Sequence, residues 1–132
     1  MRLVLDAAAV VDLLLRSDRG EQVRASLAGH HTEELFTVAH LDSEVFSALA
    51  RLHRAGQLDA DEVSTLLGRL TSLAANRLPI SGPLLSSAWS LRDNIAARDA
   101  LYVAAAHALD ARLVTTDDRL ARAVPEALAE GE

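Results

Sequence analysis

"ARDALYVAAAHALDARLVTTDDRLA", residues 97–121, decides the fold. Its alanine- and leucine-rich first half reads as a helix over 99–109, followed by "RLVTT" at 112–116, a buried strand, and a last helix at 118–124 before Pro125. Helix, strand and helix joined by short turns are the repeat of a parallel sheet covered on both faces. The run is apolar, yet single acids stand at its edges: Asp99 opens the helix and Asp117 directly follows the strand.

The same alternation extends to the start of the chain. "RLVL" at 2–5 reads as a strand, 7–16 and 21–29 as helices, and "ELFTV" at 34–38 as a second strand. Residues 41–55 have helical period and stop at Gly56, and Asp59 followed by Glu62 is a capping box for a helix through about residue 75. "RLPI" at 77–80 gives a third strand, and Pro83 starts a helix to about Asp93. The polar tail "EALAEGE" is expected to fray. No linker or repeat interrupts the 132 residues, so the chain reads as one α/β domain over 1–132.

Composition narrows the chemistry. Half of the chain is hydrophobic with few aromatics, so the core is aliphatic. Cysteine is absent, which removes disulfides, thiolate metal sites and a cysteine nucleophile. All 13 basic residues are arginine, so mechanisms that need lysine are excluded. The amino end mimics a signal peptide, but Asp6 and Asp12 break its apolar run, and no stretch is apolar enough to span a bilayer. A cytoplasmic protein with no membrane partner is expected. The net charge of −6 argues against a broad basic face for nucleic acid, though not against an acidic site that works through cations.

Such a site is suggested by where the acids fall. In an open parallel sheet, ligands bind beyond the carboxyl ends of the strands. Asp6 follows "RLVL" and Asp117 follows "RLVTT". Taken singly, each also fits a helix N-cap, worth ~1 kcal/mol. Asp99 fits a cap for its own helix. Glu44 lies roughly 60° from the centre of the apolar stripe Leu41, Val45, Ala48 and Leu52. A half-buried glutamate needs a partner, and an arginine is the plain choice. Asp12 and Asp42 read as solvated, Asp118 as a first-turn acid favoured by the helix dipole. The five histidines show no paired metal spacing and read as solvated or structural. Thr115 and Thr116 either orient water at the acids or simply reflect strand propensity.

Acids sharing a crevice repel: two unit charges ~5 Å apart cost ~3 kcal/mol at an effective dielectric of 20. The cluster persists only if it takes up protons or cations, and oxygen ligands without His or Cys select hard ions, Mg²⁺ or Mn²⁺. Arg92, Arg98 and Arg119 flank the acids in sequence and are candidates to hold the backbone of an anionic substrate.

The motifs "LVLDAAAVVDLL", "LDSEVFSALAR", "LRDNIAARDALYVAAAHAL" and "LVTTDDRLA" together resemble the PIN domain, specifically VapC-type toxins of bacterial toxin–antitoxin pairs, over residues 3–122. The resemblance implies a three-layer α/β/α fold around a mainly parallel sheet of four to five strands. By motif, Asp6, Glu44, Asp99 and Asp117 match the acids that hold Mg²⁺ or Mn²⁺ for RNA hydrolysis by metal-activated water, leaving a 5′-phosphate and a 3′-hydroxyl. It also implies a homodimer and a VapB-type antitoxin, forming a toxin–antitoxin hetero-oligomer in which an antitoxin arginine displaces metal. The aliphatic helices 41–55 and 59–75 are candidate docking surfaces. Ala8 stands where the family often has Ser or Thr, and Ser47 where Asn is common, but no core acid is missing. Two rivals remain. A receiver-like phosphoacceptor is disfavoured by the missing lysine, and a catalytically degenerate PIN module would bind RNA or protein without cleaving.

Overall fold

Leu3, Val4 and Leu5 are all fully excluded from solvent. Successive strand residues point to opposite faces, so a strand buried at three consecutive positions is covered on both sides. This is β1 (Leu3–Leu5), the middle of a five-stranded sheet with order β3-β2-β1-β4-β5. The others are β2 (Leu35–Val38), β3 (Asn76–Leu78), β4 (Arg112–Thr115) and β5 (Leu128–Ala129), and all neighbouring pairs are parallel. The computed structural model describes residues 1–124 and the short strand at 128–129. The expectation of a frayed tail therefore falls largely outside the described residues; Leu128 and Ala129 pair with Val114 and Thr115.

Seven α-helices flank the sheet among the described residues: α1 (Ala7–Leu15), α2 (Asp18–Leu27), α3 (Leu41–Arg54), α4 (Ala60–Thr71), α5 (Gly82–Ser90), α6 (Ala97–Leu109) and α7 (Asp118–Ala123), with a 3-10 turn at Thr32–Glu34 before β2. They fall into groups. α1 packs on α2, α3 and α4, whereas α6 packs on α5 and across β1, β2 and β4. The expected α/β architecture of helices about a parallel sheet is present.

Local chemistry sets most helix starts. Asp59 and Glu62 form the expected capping box, with bonds of 2.8 and 3.0 Å. Ser17 accepts from the Gly20 amide at 3.0 Å, so α2 begins at Asp18, three residues earlier than the pattern suggested. α4 ends at Thr71, short of the expected 75. The last correction bears on function. α6 begins at Ala97 with Ala96 at its N-cap, so Asp99 is the third helical residue and its side chain does not cap.

The strand order places the site. β2 and β3 lie on one side of β1, and β4 lies on the other. The chain thus changes direction across the sheet between β1 and β4, and a crevice opens at their carboxyl ends.

Candidate active site

Asp6 leaves β1 into this crevice. Its amide donates to the Val114 carbonyl at 3.2 Å, which holds the exits of β1 and β4 side by side. Its carboxylate accepts from the Ala9 amide at 2.9 Å and caps α1. The residue is only 2% exposed. Burial pushes its pKa up to about 7, and Asp99 and Asp117 add to the rise; bonds from Thr115 and Ala9 oppose it. Asp117 leaves β4 and caps α7, accepting from the amides of Arg119 at 3.0 Å and Leu120 at 3.3 Å. Its own amide donates to the Thr115 hydroxyl at 3.0 Å. Thr115, fully buried, therefore ties the two strand exits together rather than merely favouring a strand.

Asp99, freed from capping, faces the same crevice half-buried. Desolvation raises its pKa; Arg98 opposes the shift, while Asp117 and Glu44 add to it. Glu44 comes from the first turn of α3. Its partner is not an arginine. Oε1 accepts a hydrogen bond from the Tyr102 hydroxyl and lies 3.1 Å from Nε2 of His40. Burial first, then the bond to Glu44, drives the Tyr102 pKa far above the usual phenol range, so the hydroxyl stays protonated and remains a donor.

The four acids line one cleft of ≈ 260 Å³, with Arg51 and Arg98 on its wall. A roomier groove of ≈ 410 Å³ lies against α4, but its acids Asp59, Asp61 and Glu62 belong to one helix start. Convergence of acids from four separate elements, not volume, singles out this cleft as the candidate site. Among the described residues no group of three His, Asp or Glu side chains stands close enough to form a finished metal cage. The donor set nevertheless fits a hard cation: oxygen ligands only, two with raised pKa, repelling one another across a cleft. Mg²⁺ keeps several waters and does not need every protein oxygen in contact.

The other expected residues divide. Arg98 lies at the cleft, and Arg119 is near enough to act on the charge of Asp99. Arg92 is not brought there; its guanidinium lies 4.8 Å over the Trp89 ring. Asp118 is exposed and pairs with Arg19 at 2.8 Å, which lowers its pKa. Thr116 donates to Asp12 at 2.6 Å, and Ser17 donates to the other Asp12 oxygen at 2.9 Å. Asp12 is thus a tether between α1 and the end of β4 instead of a solvated acid. Asp42, also read as solvated, takes both Nε and Nη2 of Arg77, at 3.2 and 2.9 Å.

Sequence reasoning missed His40, Tyr102 and Arg51. Two had a local signal. Tyr102 stands three residues after Asp99, on the same helical face, as the one aromatic in a run of small aliphatics. His40 stands four before Glu44.

The PIN domain family model matches residues 3–124. Ribonuclease VapC3 of Mycobacterium tuberculosis is 47% identical over 131 residues, covering 98% of this chain and 93% of that protein. FitAcB from Neisseria gonorrhoeae has a similar fold, with a TM-score of 0.71 at 24% identity over 95% of this chain and 94% of that one. A toxin–antitoxin complex from Klebsiella pneumoniae matches with a TM-score of 0.67 at 18% identity, over 96% and 95% of the respective chains.

Proposed function

Because the chain belongs to the PIN-domain family, and within it to the VapC ribonucleases, we propose that it is a Mg²⁺-dependent endoribonuclease toxin whose whole length forms one catalytic unit. The observation that carries this reading is the convergence of Asp6, Glu44, Asp99 and Asp117, from four elements, on one cleft at the exits of β1 and β4. Ribonucleases of this family generally depend on a divalent metal. The all-oxygen donor set favours Mg²⁺, with Mn²⁺ as a substitute.

Asp6 and Asp99 are the acids whose raised pKa a cation would relieve, so they are assigned to hold it. Glu44 and Asp117 complete the donor set directly or by orienting water. When bound, the metal would activate water and offset charge on the scissile phosphate. Arg98, on the wall of the cleft, is placed to hold a phosphate of the RNA backbone, and Arg119 lies near it. Arg51 joins them as a candidate on its position alone.

A cleft in which four carboxylates converge also suits an arginine, so an antitoxin of the VapB type is expected to inhibit by placing one there. The fold shared with the Klebsiella toxin–antitoxin complex supports such a partner. The acid-rimmed groove of Leu58, Leu66, Asp59 and Glu62 beside α4 offers it a docking surface, in a hetero-oligomer built on a homodimer in the bacterial cytoplasm. No helix among the described residues is long and apolar enough to cross a membrane.

The test is cleavage of a total RNA pool by purified, antitoxin-free protein, with Mg²⁺ or with EDTA, beside Asp6→Ala and Asp99→Ala. Cleavage that needs the metal and is lost in both variants is expected, and mapped ends would name the target. Folded but inert wild type would favour a binding module. Activity surviving both substitutions would place the site elsewhere.

A further inference from the structure

Two of the four cleft acids are held by the backbone: Asp6 accepts from one helical amide and Asp117 from two. Asp99 and Glu44 each lie in the first turn of a helix, α6 and α3. Glu44 has a longer side chain, and its terminal torsion is broad and weakly fixed. Its order must come from other side chains, and two are present. The Tyr102 hydroxyl and Nε2 of His40 both meet Oε1, and neither bond uses Oε2. The two rings stack with centroids 4.8 Å apart and planes at 28°. We propose that Tyr102 and His40 are positioning residues that clamp Oε1 of Glu44 and so present Oε2 to the acidic cleft.

Two observations separate this from ordinary packing. Tyr102 is 1% exposed in a helix whose other buried residues are Ala and Val. Phenylalanine would fill the same space, and a buried hydroxyl is tolerated only with a partner; here that partner is Glu44. Nδ1 of His40 is buried with no hydrogen-bond partner. An orphaned nitrogen is a cost that packing alone does not offset, and a phenyl ring would avoid it. The imidazole is explained by its other nitrogen, which must carry its proton toward Glu44. The clamp also spans groups: His40 immediately precedes α3, whereas Tyr102 belongs to α6, the helix that carries Asp99. Supporting side chains of this kind fix the orientation of metal-ligating carboxylates.

The clamp rests on the reading of Glu44 as a site acid, and the experiment separates the two. Tyr102→Phe keeps the ring unchanged, His40→Phe keeps an aromatic ring of somewhat larger size, and each removes one donor. Mn²⁺ affinity of the metal-free protein, read from the electron paramagnetic resonance of unbound Mn²⁺, is measured with melting temperature and the single-turnover rate on total RNA. Each variant is expected to melt like wild type while losing about tenfold in Mn²⁺ affinity and rate. Added to Glu44→Gln, Tyr102→Phe is expected to cause no further loss. If Glu44→Gln weakens Mn²⁺ binding but both phenylalanine variants bind like wild type, the clamp is wrong and the site reading stands. Should Tyr102→Phe cost the same factor in the Glu44→Gln background, the phenol acts independently and the clamp is again wrong. Wild-type binding by Glu44→Gln would overturn the role of Glu44 and the clamp with it. If Tyr102→Phe does not fold, His40→Phe decides alone, since it also removes the orphaned nitrogen.

Discussion

Asp6 performs two tasks that pull against each other. As the N-cap of α1 it stabilises the helix, but its burial holds the carboxyl pKa near about 7. Between the unfolded value, near 4, and about 7 the folded protein retains a proton that the unfolded chain releases. Stability of the metal-free protein must therefore fall as pH rises through that window, by a few kcal/mol in total. Asp6→Asn keeps the acceptor for the Ala9 amide and removes this titration. In urea unfolding with EDTA, the variant should match wild type near pH 4 and exceed it at pH 8, while RNA cleavage drops by at least about a hundredfold. A wild-type profile flat from pH 4 to 8 would refute the burial argument. At this scale the sequence was legible where a side chain bonds locally. For Asp6 and Asp117 the cap and the cleft acid proved to be the same residue, because a strand exit that starts a helix is also the mouth of the crevice. Of the two partners of Glu44, His40 stands four positions before it, within reach of a local reading; Tyr102 lies 58 positions away, and no local pattern encodes a contact made by tertiary packing.

The first turn of α2 packs so closely on the backbone of α1 that only glycine fits at position 20. A Cβ on Gly20 would stand 1.9 Å from the Asp12 carbonyl oxygen, which is backbone and cannot swing aside. Gly20→Ala must push α2 off α1, and a loss of about 2–3 kcal/mol is expected, lowering the melting temperature by roughly 5–10 °C. Because Asp12 also holds Thr116 next to Asp117, the same variant should slow cleavage beyond what its unfolded fraction explains. Thermal melts beside rates measured well below the melting point would separate these effects; equal stability in the two proteins would show that the helices part freely. Among the described residues, the seven α-helices and the four longer strands were visible in the sequence, since burial on one helical stripe gives a periodic pattern and burial on both faces of a strand gives a short continuous apolar run, as in β1. The 3-10 turn at Thr32–Glu34 carries no such pattern and was not visible. Boundaries shifted where a competing start signal existed. Asp99 resembled a cap, yet the helix begins earlier at Ala97, which leaves that carboxylate free for the cleft. No periodicity marks such a shift, because the residues before Asp99 are themselves good helix formers.

At the scale of the molecule, strand order turns separate acids into a site. Alternating strands and helices imply a parallel sheet but do not say which strands are neighbours. Only the order β3-β2-β1-β4-β5 sets the exits carrying Asp6 and Asp117 side by side and brings α3 and α6 to the same cleft. The arrangement concentrates negative charge where folding alone gains least from it, so a cation should stabilise the whole chain. Binding to the folded form at one hundred times its dissociation constant contributes ~2.7 kcal/mol, a rise of roughly 5–10 °C in melting temperature. The cation must displace the proton that Asp6 keeps below about pH 7. Proton competition should therefore weaken binding at pH 6 relative to pH 8, by up to about tenfold for each unit below the pKa. The expected result is a Mg²⁺-induced rise in melting temperature that is larger at pH 8, absent with Na⁺ at equal ionic strength, and lost in Asp6→Asn. A rise of equal size at both pH values, or one retained in Asp6→Asn, would mean that the ion binds away from the strand exits. The convergence of acids would then need another explanation, such as an arginine supplied by a partner.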